Sequence, residues 1–396
     1  MEKADWKQLE QHQQAELEVL LPQKTAILRT LKQWIRDGKF QDDEPLPSER
    51  VIANLFKQPR HTIRIALKDL EDTGWIERQG RNRIVTKTYQ VSEFSPSSQS
   101  VVVLAQEHWS GTDHLKSGDL WMIVMGTLQA LGQSPVEGTT FDPNDLSADQ
   151  FMKLLSQRPK GVIAYQDTFI HTTGLSILDG IRNSGIPIVV YGYKPELNGY
   201  DTVESDQADG TYQLTQHLIE RGRKRILRFW EYRADIPDNQ HWLAKRDLGY
   251  QQAMKDAGFE PLPAVQFPEL PFNPNTKARF DMRVRYNTGV MVEALSEYGK
   301  FDAVLAISDA ATFPIACALE KLKYKPNDDV DVVGYDNYWQ DHEFQQWAPF
   351  MPLATVDKHN TQIGKELVSL LLERVGGGLD KKSVHRLVKP ELFVNA

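Results

Sequence analysis

Apolar positions follow two different rhythms along this chain, and the change falls near residue 100. Between Thr25 and Arg36, the residues Ile27, Leu28, Leu31 and Ile35 keep helical spacing. Gly38 is placed to end that helix. Ser48 is a suitable N-cap for a second short helix through Val51, Ile52, Ala53 and Leu55. Pro59 resets the backbone, because proline suits a first helical turn but not a helix interior. A third helix follows, with Ile63, Ala66, Leu67 and Leu70 as its buried stripe and Gly74 as its stop. Trp75 to Val85 then alternates as a hairpin that turns at Gln79-Gly80-Arg81-Asn82.

Past residue 100 the pattern becomes short continuous apolar runs separated by amphipathic helices. The runs are Val101–Ala105, Gly161–Tyr165, Ile186–Tyr191, Arg225–Phe229, Ala303–Ile307 and Val330–Tyr335. Continuous apolar strands alternating with helices predict an α/β domain of parallel sheets covered on both faces. Such sheets take ligands at the carboxyl ends of their strands. The polar residues just past those ends are therefore site candidates: Gln166, Asp167, Trp230, Ser308, Asp309, Asp336 and Asn337. Between the two patterns, Val91 to Ser100 is rich in serine with proline and glutamine, which predicts a water-loving tether.

Length and charge sharpen this division. A chain of 396 residues is too long for one ordinary core. The formal net charge is −8, yet residues 21–90 hold fourteen Lys and Arg against nine Asp and Glu. A basic module on an acidic body points to local attraction of phosphate rather than general coating of nucleic acid. The third helix shows Arg60, His61, Arg64 and Lys68 opposite its apolar stripe. A major groove admits one helix, and arginine can pair both acceptors of guanine, so double-stranded DNA is the expected partner. Cys317 is the only cysteine, which excludes an internal disulfide and argues against a cysteine metal site. Reducing cytoplasm is the expected compartment. The first twenty residues lack an apolar signal core, and no apolar run approaches a membrane span. No metal and no cofactor are expected.

Two resemblances follow from these passages. Residues 24–86 resemble the winged helix-turn-helix of the GntR family of bacterial repressors. The likeness rests on Leu46-Pro47-Ser48-Glu49-Arg50, on the Arg60-to-Leu67 helix and on Gly74-Trp75-Ile76 at the wing entry. It implies that Arg50, Arg60, His61, Thr62 and Arg64, with Gln79 and Gly80 at the wing tip, meet DNA. From about residue 100 onward the chain resembles the effector-binding domain of LacI/GalR-type repressors, whose fold is that of periplasmic sugar-binding proteins. Val203–Gln207, Arg246–Tyr250, Ala303–Asp309, Val332–Asn337 and Ala354–Asp357 carry that likeness in order. It implies two lobes closing on a small polar effector, expected to be a sugar. Arg246 and Asp336 would grip hydroxyls, with Ser308 nearby, Asp206 at the hinge and Gln166 or Asp167 reaching from the other lobe. Trp109, Tyr165, Trp230 and Trp339 are aromatics that could stack on a sugar face. Ser308 stands where that family usually has Asn, and no second Arg or Lys cluster is evident beside Arg246, which disfavours phosphosugars. A GntR-type reader on this effector domain resembles the architecture of arabinose-responsive repressors.

The expected organisation is an extension over 1–22, a reader over 23–87, a linker over 88–100 and an effector and dimerisation domain over 101–396. Its N-terminal lobe would take about 101–221 and 356–382, and its C-terminal lobe about 222–355 and 383–396. The expected function is a repressor that binds operator DNA as a homodimer under control of the effector. A sugar-transport protein is the alternative from a binding class, and the attached reader argues against it. A fused-domain enzyme is the catalytic alternative. No Schiff-base context surrounds Lys321, Lys323 or Lys325, and there is no phosphate loop or nucleophile elbow.

Overall fold

The computed structural model describes residues 23–395 apart from 37–39, 41–44, 73–74, 81, 86–98, 106–118, 142–147, 167–171, 193–194, 233–240 and 269–275. The expected extension over 1–22 and nearly all of the linker lie outside the described residues. The chain divides into two compact units, residues 1–97 with 141–157, and residues 98–140 with 158–396.

The first unit opens with α1 (Gln23–Arg36), α2 (Glu49–Leu55) and α3 (Arg60–Asp72), followed by the hairpin β1 (Ile76–Gln79) and β2 (Asn82–Val85). Its core gathers Ile27, Leu31, Trp34, Ile52, Ile63, Leu67, Leu70 and Trp75. Each predicted stripe residue of α3 is buried there, so helical spacing alone located the packed face. The hairpin is antiparallel, with Ile76 opposite Val85 and Gln79 opposite Asn82. Gly80 turns it with φ of 63°, a left-handed conformation that glycine adopts without a Cβ penalty. Pro45 bridges to Ile84, which adds the approach to α2 to the wing. Ser48 is the N-cap of α2, as expected, with the extended backbone of that position, although its hydroxyl makes no capping bond.

The second unit carries two six-stranded sheets. The first orders β13-β7-β6-β5-β3-β4, where β3 is Ser100–Leu104, β4 Glu137–Phe141, β5 Gly161–Tyr165, β6 Ile188–Tyr191, β7 Asp201–Ser205 and β13 His385–Val388. The second orders β14-β12-β11-β10-β8-β9, where β8 is Ile226–Tyr232, β9 Val265–Pro268, β10 Ala303–Ala306, β11 Asp331–Val333, β12 Ala354–Asp357 and β14 Glu391–Val394. Neighbours pair in parallel along β13-β7-β6-β5-β3 and along β12-β11-β10-β8-β9, and β14 runs antiparallel to β12. The helices between them are α4 (Asp119–Gly132), α5 (Ala148–Ser156), α6 (Thr172–Asn183), α7 (Gln207–Glu220), α8 (His241–Asp256), α9 (Lys277–Tyr298), α10 (Asp309–Lys321) and α11 (Asn360–Val375). Of these, α5 belongs to the first unit.

Backbone meets backbone where α4 crosses α11. A Cβ on Gly126 would stand 2.2 Å from the Thr361 carbonyl oxygen, and one on Gly364 would stand 2.2 Å from that of Ile123. Those glycines bring α11 onto the first sheet beside α4, over a core of Val101, Val103, Ile123, Ile163, Val189, Leu367 and Leu371.

The chain crosses from one sheet to the other three times: between β7 and α7, between β12 and α11, and between β13 and β14. This corrects two lobe boundaries. Residues 207–220 form α7, which packs on α8, β12 and β14 and so belongs to the second sheet's lobe. Residues 385–388 pair with β7 and belong to the first. In each case the chain changes lobe one element away from the expected boundary, ahead of α7 and after β13.

Candidate functional site

In the first unit, the basic face of α3 is open to solvent. Arg60, His61 and Arg64 are exposed on it and Thr62 is half-buried, while Arg50 is exposed on α2 and Gln79 and Gly80 at the hairpin tip. Sequence reasoning did not foresee that Glu49 joins these elements. Its Oε2 accepts from Nε and Nη2 of Arg64 at 3.3 and 3.2 Å, and its Oε1 accepts from Nη1 of Arg83 on β2 at 3.2 Å. Burial alone would raise the Glu49 pKa, but the hydrogen bonds from Arg64 and Arg83 outweigh it and hold the carboxyl below its ordinary range. Arg83 also donates through Nε to Glu71 near the end of α3.

In the second unit, the strand ends of the second sheet converge on Arg246 of α8. Its side chain is 3 % exposed, and its guanidinium carbon stands 3.5 Å from the centre of the Tyr335 ring and 4.5 Å from that of Trp242. Nε donates to Gln207 Oε1 at 2.8 Å and Nη1 to the Ile307 carbonyl at 2.5 Å. Nη2 lies 3.6 Å from Asp336 Oδ1, and Lys358 Nζ lies 2.8 Å from the same oxygen. The expected pair of Arg246 and Asp336 is therefore together, but with a second buried cation beside it. No second Arg or Lys cluster is expected beside Arg246; a single lysine, Lys358, does share Asp336 with it. That residue lies one position past the end of β12, where strand-end reasoning, had it included this strand, would have found it.

The backbone at this point is in sparsely populated territory. Asp336 has φ of 98° and Asn337 of 55°. Strain of this kind persists only where surroundings over-determine it. The Asp336 N–H donates to the Val356 carbonyl at 2.8 Å, and the Asn337 N–H donates to Thr355 Oγ1 at 3.2 Å. Beneath them, Asp309 accepts from Thr355 Oγ1 at 2.7 Å and from the amides of Tyr338 and Trp339 at 2.8 and 3.3 Å. Burial is the main reason its carboxyl is pushed up to about 7, with Asp336 adding to the shift and the Thr355 bond opposing it. Gly334 is required here, since a Cβ would meet Asp309 Oδ1 at 2.1 Å.

Other expected site residues fall variously. Asp206 sits at the β7-to-α7 crossover and caps α7 by accepting from the Asp209 N–H at 3.0 Å. Ser308 precedes α10 half-buried, with no capping bond. Gln166 is buried at the end of β5 on the first sheet. Trp109 and Asp167 lie outside the described residues. Two stacking candidates are core residues instead. Trp230 is fully buried and donates from Nε1 to Asp247 at 2.8 Å, and Tyr165 is fully buried and donates to Thr127 at 2.8 Å. Each sits inside its strand, where an apolar run keeps side chains under helices. Trp339 remains half-buried beside Asp309. Lys245 of α8 reaches across the lobes to Glu204 of β7 at 2.5 Å, and His385 Nε2 lies 2.8 Å from that same carboxylate.

Two parallel sheets crossed three times, with a polar cluster at their strand ends and a winged helix-turn-helix ahead of them, define a two-lobed solute-binding domain coupled to a DNA reader. The profile of periplasmic binding proteins and sugar binding domain of LacI family matches residues 117–391, and the chain belongs to that family. The profile of bacterial regulatory proteins of the gntR family matches residues 23–85. An arabinose metabolism transcriptional repressor of Geobacillus stearothermophilus is 23% identical over 387 residues, 95% of this chain and 98% of that one. An HTH-type transcriptional repressor PurR of Vibrio parahaemolyticus is 26% identical over 217 residues, 54% of this chain and 57% of that relative. Among solved structures, a transcriptional regulator CelR–cellobiose complex matches with TM-score 0.53 at 20% identity, covering 88% of this chain and 99% of that one. A regulatory protein of LacI family from Chloroflexus aggregans matches with TM-score 0.55 at 18% identity, covering 76% of this chain and 98% of that one. No helix among the described residues is long and apolar enough to cross a membrane.

Proposed function

We propose that this chain is a transcriptional repressor whose affinity for operator DNA is set by a small polar effector, a sugar, held between the two lobes of the second unit. It is a regulator and not an enzyme. The observation that carries this reading is the presence in one chain of an exposed arginine face on α3 and a buried Arg246–Asp336 pair at the strand ends. Arginine supplies hydrogen-bond donors and aspartate acceptors, the complement that sugar hydroxyls need. One relative named as an arabinose metabolism transcriptional repressor and one solved structure named as a cellobiose complex support the class of effector.

In this reading, Arg50, Arg60, His61, Thr62, Arg64, Gln79 and Gly80 face DNA. Arg246, Asp336, Ser308, Asp206 and Gln166 face the effector, and Trp109 and Asp167 are further candidates to contact it. Two copies associate through their effector domains and present two readers to a near-palindromic site in the cytoplasm. The effector acts by binding one lobe arrangement better than the other, since only differential affinity shifts an equilibrium. The test is a thermal-shift screen of the full chain against pentoses, hexoses and their phosphates, followed by operator titration with whichever sugar stabilises it. Stabilisation by one sugar with a matching change in DNA affinity supports the reading. A sugar that stabilises without touching DNA affinity contradicts it.

A further inference from the structure

We infer that Arg83 is a positioning residue for DNA recognition: it keeps Glu49 neutralised when Arg64 leaves that carboxylate for the edge of a base. This rests on the reading of Arg64 as a DNA contact. Three elements meet at Glu49. It is the first residue of α2, Arg64 comes from α3 and Arg83 from the wing strand β2. The two arginines use different oxygens of Glu49, so one can depart without displacing the other. Their exposures differ sharply. The Arg64 side chain is 62 % exposed, whereas Arg83 is 15 % and Glu49 17 %. Arg83 is anchored a second time on Glu71, which is also 17 % exposed. Arg64 is thus the movable partner and Arg83 the fixed one.

Physics assigns the consequence. An exposed ion pair is weak, so Arg64 leaves Glu49 readily. A half-buried carboxylate left alone beside a polyanion is a different matter, because an uncompensated charge is costly and phosphates repel it. With Arg83 in place, Glu49 remains paired through its other oxygen. Without Arg83, Glu49 has Arg64 as its cation and holds it away from DNA.

The test uses the full chain and a duplex selected by the wild-type protein from random-sequence oligonucleotides, with a non-selected duplex of equal length beside it. Arg83→Gln is expected to weaken binding to the selected duplex about tenfold, and Glu49→Gln placed in the same chain to restore it to within about threefold, as coupled neighbours require. The salt slope of Arg83→Gln stays that of wild type. Arg83→Lys retains most of the affinity. A slope reduced by about one, with no rescue by Glu49→Gln, would mean that Arg83 touches a phosphate itself and would overturn the inference. Equal loss on both duplexes with a lowered melting temperature and no rescue would reduce Arg83 to a structural brace, and would overturn it too. Arg64→Ala separates the two levels. If it binds the selected duplex like wild type, the reading of Arg64 fails and the inference with it. If it loses discrimination while Arg83→Gln goes unrescued, only the inference fails.

Discussion

Lys358 Nζ stands 2.8 Å from Asp336 Oδ1 in the heart of the strand-end cluster. Both side chains are nearly inaccessible, at 6 % and 8 %. The carboxylate proposed to grip an effector is therefore also the anion that neutralises a buried lysine, with Arg246 3.6 Å from the same oxygen.

Asp336→Ala consequently has two effects that can be measured apart. Removing one partner from a buried ion pair leaves an uncompensated charge, a cost of about 3–5 kcal/mol. Thermal denaturation should show a clear fall in Tm. Operator affinity of the folded protein should survive, while its response to effector disappears. Persistence of that response would place the effector elsewhere.

Asp309 supplies a pH dependence with a definite sign. Its carboxyl is raised from an ordinary 3.8 to about 7, so the folded chain binds this proton more tightly than the unfolded chain does. The stability associated with it is full below 3.8 and is lost as pH rises to about 7. Asp309→Asn cannot ionise. In urea titrations, the variant should gain on wild type steadily from about pH 4 to about pH 7, the window between the two values, and no further above it. A difference in midpoint that stays constant over that window would show that Asp309 does not titrate there.

The crossing of α4 on α11 predicts a steric failure. Alanine at Gly126 or Gly364 would put a Cβ 2.2 Å from a carbonyl oxygen, and backbone cannot yield as a flexible side chain can. Each substitution should cost about 1–3 kcal/mol, the usual range for overpacking. Chemical denaturation measures it. Alanine at Gly132, which has nothing within 4 Å, is the control and should be near neutral or stabilising.

Arg60→Ala and Arg64→Ala should each remove about 1–3 kcal/mol of discrimination between a selected duplex and a random one, if they pair guanine. Competition titration measures the ratio. Equal loss on both duplexes would assign the arginine to phosphate alone.

How much of this was legible follows from which residues carry it. The stripe of α3 and the runs of β3, β5 and β10 announce themselves because every inward position is apolar. β7 does not, because Asp201-Thr202-Val203-Glu204-Ser205 reads as polar although all five residues are buried. Its acids are buried with partners: Arg374 reaches Asp201 at 2.6 Å, and Lys245 reaches Glu204. Those partners lie far away in sequence, so no local period reveals them. The same reason hid Arg83, whose partners Glu49 and Glu71 lie on other elements. Arg246 and Asp336 were found by family likeness, and strand-end logic alone would have found only Asp336.

The central claim is that effector binding in the second unit changes how tightly the first unit holds DNA. Titration of a selected operator duplex with the full chain, with and without a sugar that stabilises it thermally, tests this most directly. Couplings of this kind are about 1–3 kcal/mol, so affinity should change about 5- to 150-fold, and the shift should vanish in Arg246→Ala. Superimposable titrations with and without that sugar would contradict the account.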